Sequence, residues 1–359
     1  MPSIQENIEV EEVITPQEAK FEKWRNRAGF TLAPLAFFII IFAPLNLKPE
    51  AHNLAAIISV IIILWICESL PMPVTALIGA ALCILLKVAD AKTVFAPFAD
   101  PLMFLFIGSF IIARAIFLHD LDKRFAYGVL SLKAIGARPA RILFAFGAVT
   151  AFISGWISNT ATTAMMFAIG MSIIAFLKKQ QTETGIKINE NYSTAMMLIT
   201  SFSASIGGLA TPIGTPPNVI GLGFIRQILK AEISFFEWMM IGVPIVIVLY
   251  LFLFSYLNYL APAGVKEIKG SAEMIDREKR SLGKWTRGQK STVIAFSVAV
   301  ILWIFSGLVA LFAGDTSEIY KFVNARLPEA VGAVVGAVLL FLLPGNLKGE
   351  KAITWEEAV

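Results

Sequence analysis

Read for its apolar and polar positions, the chain alternates between long uncharged runs and short charged connectors. The runs are Phe30–Leu45, Leu54–Ser69, Val74–Val88, Leu102–Leu118, Ile142–Leu177, Thr194–Leu229, Met239–Leu260, Ser291–Ala313 and Val331–Leu343. Seven have the length of one bilayer crossing, about 20 residues with allowance for tilt and frayed ends. Ile142–Leu177 and Thr194–Leu229 are roughly twice as long as a crossing needs at about 1.5 Å rise per residue. Each is interrupted in its middle by small polar residues or by Gly and Pro, the residues that punctuate helices. The pattern predicts an all-α polytopic membrane protein with two interrupted elements among plain spans.

Composition agrees. Hydrophobic residues make up 57% of the 359 and charged residues only 16%, with a mean hydropathy of +0.74; a soluble domain carries about a quarter charged. The net charge of +4 is spread over connectors, so nothing reads as a nucleic-acid face. Cys67 and Cys83 lie in or beside apolar runs and His52 and His119 are isolated at span edges, which argues against a disulfide framework or a thiolate metal site. The charged start, Gln5 to Arg27, lacks the short apolar region and cleavage site of a signal peptide; the first span is expected to be permanent.

Basic residues set the expected orientation. Lys20, Lys23, Arg25 and Arg27 precede the first span, placing the N-terminus in the cytoplasm by the positive-inside rule. Lys123, Arg124, Lys133, Arg138 and Arg141 come next, then Lys178, Lys179 and Lys187. The densest connector holds Lys266, Lys269, Arg277, Lys279, Arg280, Lys284, Arg287 and Lys290. All fall on one side if Ile142–Leu177 enters and leaves from the cytoplasm as a re-entrant hairpin while Thr194–Leu229 crosses once as a broken helix. The alternative, one long tilted helix, pushes several basic connectors outside.

An internal repeat points the same way. Ile63-Leu64-Trp65-Ile66 recurs as Ile301-Leu302-Trp303-Ile304, and Leu70 to Ala80 aligns without gaps on Leu327 to Ala337. With an odd number of crossings between the copies, the second unit would be inverted, a known construction of secondary transporters. The second copy stops at Val359, roughly where the first has reached Asp100, so a second hairpin and broken helix are missing. The expectation is that the natural protein continues, and that residues 1–359 alone show no coupled uptake.

Two segments carry the chemistry: Ser154 to Met166, with Ser158-Asn159-Thr160, in the middle of the hairpin, and Ser203 to Asn218, with Gly207-Gly208 and Pro212, Pro216 and Pro217. An amide such as Asn159 in lipid is expensive, so it should face protein or a watery site. At a hairpin tip, the half-helix that follows offers free N–H groups and its positive dipole end to a carboxylate. The half-helix that precedes offers free carbonyls, which with Ser and Asn oxygens suit a hard cation. Gly207 and Gly208 let the backbone leave helical geometry and the prolines delay its return, freeing further carbonyls. Helix packing is the plain reading of Ser and Thr alone; the pairing of two broken segments favours a site. Arg114 reads as a snorkelling residue, Glu68 and Asp100 as interfacial, and Trp24, Trp238 and Trp285 as interfacial anchors. With no acid–base pair, His cluster or activated nucleophile at depth, the sequence does not read as an enzyme.

Ser158-Asn159-Thr160, together with Ala210-Thr211-Pro212-Ile213-Gly214-Thr215-Pro216-Pro217-Asn218, resembles the divalent anion:sodium symporter family of dicarboxylate, tricarboxylate and sulfate carriers. The resemblance implies a sodium-coupled, elevator-type symporter of the cell inner membrane, homodimeric in lipid, for di- or tricarboxylates such as succinate. It implies sodium held by Ser154, Ser158, Asn159 and Gly207, and substrate met by Ser158, Asn159, Thr160 and Gly208. It divides the chain into a cytoplasmic segment 1–28, scaffold helices 29–141, part of a transport domain 142–262, a cytoplasmic basic loop 263–290 and a second scaffold start 291–359. A sodium-independent exchanger, a carrier of sulfate, citrate or arsenite, and an anion channel remain as alternatives.

Overall fold

The computed structural model describes residues 15–135, 137–185, 188–268, 270–314, 316–347 and 349–358. Residues 1–14 of the expected cytoplasmic segment, Lys187 and Lys269 of the basic connectors, and Val359 of the second copy lie outside them.

The described residues form α-helices in this order: α1 Pro16–Phe42, α2 Pro49–Ile66, α3 Met72–Leu85, α4 Ala91–Phe95, α5 Pro101–Leu118, α6 Leu121–Leu130, α7 Pro139–Ser154, α8 Asn159–Thr184, α9 Glu190–Gly207, α10 Pro216–Phe224, α11 Phe235–Leu260, α12 Ser271–Ser281, α13 Arg287–Ala313, α14 Glu318–Arg326, α15 Glu329–Leu342 and α16 Trp355–Ala358. Among the described residues six helical stretches are long and apolar enough to cross a bilayer, or seven if α14 and α15, bent by 45°, count as one span. Each of the nine apolar runs lies on one or more of these helices. This is an all-α polytopic membrane protein. The helix starts follow local chemistry. Capping boxes pair Thr15 with Glu18 at α1, Ser234 with Glu237 at α11 and Thr286 with Gln289 at α13, each satisfying two otherwise orphaned N–H groups.

The chain divides into two compact units, residues 1–100 and 101–359, so the division falls inside the segment expected as one scaffold, 29–141. In the first unit α1 packs on α2 and α2 on α3. Arg25 pairs with Glu68 at 2.5 Å, which gives that span-end carboxylate a partner.

In the second unit α7, α8 and α9 form the core of the site. The α7–α8 pair is a hairpin: the chain turns at Gly155–Ser158, and the Phe146 ring of α7 lies 3.2 Å from where a Cβ on Gly170 of α8 would sit. One long tilted helix is thereby ruled out. By length α7, with 16 residues, falls short of a crossing, whereas α8, with 26, does not. α9 runs alongside α7 in the same direction. Tyr192 Oη donates to Pro139 O at 2.8 Å near the start of both, and Ser154 Oγ donates to Ala204 O at 2.7 Å near their ends.

Two connectors are more ordered than their charge suggests. The 263–290 loop contains α12, which buries Met274 and Ile275 and packs on α6. Arg124 of α6 holds the end of that loop, donating to Leu282 O at 2.6 Å and lying 5.1 Å over the Trp285 ring. Arg114 is not a free snorkelling cation: its Nε donates to Glu357 O at 3.0 Å.

Candidate functional site

The hairpin tip forms because the backbone is diverted there. Gly155 caps the end of α7 and Ser158 starts α8, its hydroxyl accepting from Ala161 N–H at 3.3 Å. Opposite the tip, α9 ends at Gly207 and the chain is non-helical from Gly208 to Thr215, resuming where Pro216 occupies the first turn of α10. Both interruptions expected from the sequence are present.

They meet. A Cβ on Gly207 would overlap Ala151 O of α7, and one on Gly208 would overlap the Asn159 amide; only glycine permits these approaches. The would-be Cβ of Gly155 lies 3.4 Å from Gly207 O. Thr211 Oγ1 donates to Gly155 O, tying bend to tip. At the centre, the buried Ser154 hydroxyl faces two acceptors, Asn159 Oδ1 at 2.8 Å and Ala204 O at 2.7 Å.

The predicted residues thus fall into layers. Ser154, Gly207 and Gly208 are buried, Ser158 and Asn159 are half-buried, and Thr160 is exposed on the first turn of α8. The freed carbonyls of the bend are less free than expected. Gly207 O accepts from Ala210 N–H at 2.9 Å, and Gly208 O accepts from Asn218 Nδ2 at 2.7 Å. A carbonyl has two lone pairs, so each keeps one.

The sequence shows no role for two residues that build this site, Asn218 and Thr211, and a different role for a third, Trp238. Buried Asn218 donates to Gly208 O and, at 2.9 Å, to Thr211 O, folding the loop back on itself from the next helix. Thr211 ties that loop to the hairpin. Trp238, expected as an interfacial anchor, donates its indole N–H to Leu209 O at 3.0 Å. The position of Asn218 in the first turn after a Pro-Pro start, closing the motif that carries the resemblance, was its signal. Two further buried hydroxyls, Thr162 Oγ1 and Ser203 Oγ, have no hydrogen-bond partner. The sequence holds no Lys, Arg or His from 142 to 177 or from 188 to 225, so the tip and bend contribute dipoles and neutral oxygens but no fixed charge.

Known proteins are similar to this sequence. The family described as the sodium:sulfate symporter transmembrane region matches residues 25–359. A protein named sodium-dependent dicarboxylate transporter SdcS from Staphylococcus saprophyticus is 33% identical over 336 residues, covering 92% of this chain and 63% of that protein. The protein of the same name from Staphylococcus aureus is 32% identical with the same coverage. The chain spans a little under two thirds of the length of these curated relatives. With the family match running over nearly all of its residues, the chain belongs to the sodium:sulfate symporter family.

Proposed function

We propose that the protein is a sodium-coupled secondary active transporter of small dicarboxylate anions such as succinate. The observation that carries this reading is the Ser154 hydroxyl between Asn159 Oδ1 and Ala204 O. A hydroxyl has one proton, so it serves one acceptor at a time and leaves surplus oxygen lone pairs converging in a buried space. A small hard cation satisfies such a set, and uncharged ligands allow its release. In this reading sodium is held by Ser154, Ser158, Asn159 and Gly207. The substrate carboxylate is held by Ser158, Asn159 and Thr160 at the α8 N-terminus, beside Gly208. With no fixed positive charge at tip or bend, a bound cation supplies the attraction a dianion needs, which is the physical basis of coupling. The relatives named as sodium-dependent dicarboxylate transporters support the same assignment.

Further parts of the proposal rest on the resemblance and on charge. The hairpin, broken helix and α11 belong to a transport domain that moves against scaffold helices in an elevator motion. The protein is a homodimer in the inner membrane with a cytoplasmic N-terminus, the side to which its basic connectors assign it.

The test is uptake of labelled succinate by the full-length gene product in proteoliposomes. An inward sodium gradient is expected to drive accumulation, and replacing sodium with choline to abolish it. Uptake unchanged in choline would overturn sodium coupling in favour of exchange, and non-saturable flux would favour a channel.

A further inference from the structure

A second feature lies beside the hairpin and takes no part in the site just described. A cavity of about 620 Å³ opens between α6, α8 and α12. Its α8 wall is Ala161, Ala164, Met165 and Ala168, small or apolar residues that begin one position beyond Thr160. The opposite wall is acidic: Asp122 of α6 and Glu278 of α12 line it.

Asp122 is the unusual group. It is only 4% exposed, and its Oδ1 has no hydrogen-bond partner. A buried carboxylate oxygen without a partner is costly. Desolvation, the dominant cause, pushes its pKa up to about 6, against the lowering effect of the Lys123 backbone and charge. The other ionisable groups around the cavity are few. Asp120 and Lys123 pair with each other at 2.7 Å, and Tyr127 of α6 lines the cavity near Glu278. α5 contributes Phe117, and the α8 wall has no titratable group. Two carboxylates are therefore left facing the cavity without an ion pair among the described residues. A dianion entering it would meet both. A divalent metal is not suited either, since no cluster of three acidic, His or Cys ligands exists among the described residues.

We propose that this cavity is a cation antechamber, in which Asp122 and Glu278 concentrate sodium beside the hairpin tip while repelling the anionic substrate. The proposal rests on the sodium-coupled reading above and adds to it a separate approach for the ion. Ala161 links the two places: it lines the cavity and its N–H is bonded to the Ser158 hydroxyl at the tip. Acidic clefts with low-dielectric walls raise local cation concentration in this way.

The experiment compares the full-length gene product with Asp122→Asn and with Asp122→Asn/Glu278→Gln in proteoliposomes. At pH 8, with sodium varied equally on both sides of the membrane and succinate counterflow as the readout, the half-maximal sodium concentration is expected to rise about two- to fivefold, the scale of one charge a helix width away. KM for succinate at saturating sodium stays unchanged, and added choline chloride shrinks the difference by screening. In the parent protein the half-maximal sodium concentration rises as pH falls through about 6, where Asp122 takes up a proton; Asp122→Asn flattens that dependence. Misfolding is a poor explanation for such a result. A carboxyl with a raised pKa costs stability as pH rises through that value, so the variant should melt no lower than the parent at pH 8. Sodium-driven uptake with identical sodium dependence in all three proteins overturns the antechamber alone. A parent without sodium-driven uptake overturns the sodium reading and the antechamber with it.

Discussion

At the scale of single residues, adjacent glycines at the bend do different work. A Cβ on Gly207 would strike Ala151 O, a backbone atom of a buried helix that cannot step aside. Gly207→Ala should force α9 away from α7, with an overpacking cost of about 1–3 kcal/mol. A Cβ on Gly208 would strike the Asn159 side chain instead. That amide can rotate, so Gly208→Ala should keep the fold but move Asn159 away from Ser154. The measurement is the melting temperature in detergent with and without sodium, because an ion that binds only the folded state raises it. We expect Gly208→Ala to melt near the parent and to lose the sodium-induced rise, and Gly207→Ala to melt lower in both conditions. A full sodium response in Gly208→Ala would remove Asn159 from the cation site. The glycines were legible in the sequence as breakers. Their distinct partners were not, because the approach of α7 and of the Asn159 amide is set by packing between segments some 50 residues apart.

Among the elements, the two interruptions could be read from run length and from the density of Gly and Pro. The staple across the second one could not. Asn218 belongs to α10, yet its Nδ2 serves Gly208 O and Thr211 O on the other side of the loop. Asn218→Asp keeps the shape and replaces the donor with an acceptor, setting a carboxylate against two buried carbonyls. Leaving them unpaired costs on the order of 1–3 kcal/mol each. Limited proteolysis should then cut within 208–215 in Asn218→Asp and spare the parent. Equal resistance would mean that Trp238 and Thr211 hold the loop without the amide. The amphipathic connectors α6 and α12 were hidden for the opposite reason. Each is short and heavily charged, so the buried pair Met274 and Ile275 is submerged in a stretch that reads as a solvated basic loop, and their contact with each other is tertiary. The cavity acids Asp122 and Glu278 were hidden with them.

Over the whole molecule, the sequence repeat becomes a repeat of contacts. In the first copy Gly79 of α3 faces Ile61 of α2; in the second Gly336 of α15 faces Ala299 of α13, and the two alignments place these residues at equivalent positions. Trp65 Nε1 donates to Met72 O at 3.4 Å, and its counterpart Trp303 donates to Glu329 O, the counterpart of Met72, at 2.9 Å. α3 and α15 both follow a Leu-Pro pair and both run 14 residues. One helix-pair geometry is thus written twice, while the surroundings differ: Trp65 is 40% exposed, and Trp303 is 1% exposed and stacks on Phe235 with ring centroids 4.8 Å apart. Burial should decide what the shared bond is worth. Trp303→Phe strands the Glu329 carbonyl and leaves a void, a combined loss of about 2–4 kcal/mol. Trp65→Phe removes a longer, exposed bond and should stay within about 0.5 kcal/mol of the parent. Thermal unfolding of the two variants in one detergent separates the outcomes. A clear drop for Trp303→Phe alone assigns the second copy's stability to packing around a conserved local frame, whereas equal drops would show that the frame itself, and not its burial, holds each pair together.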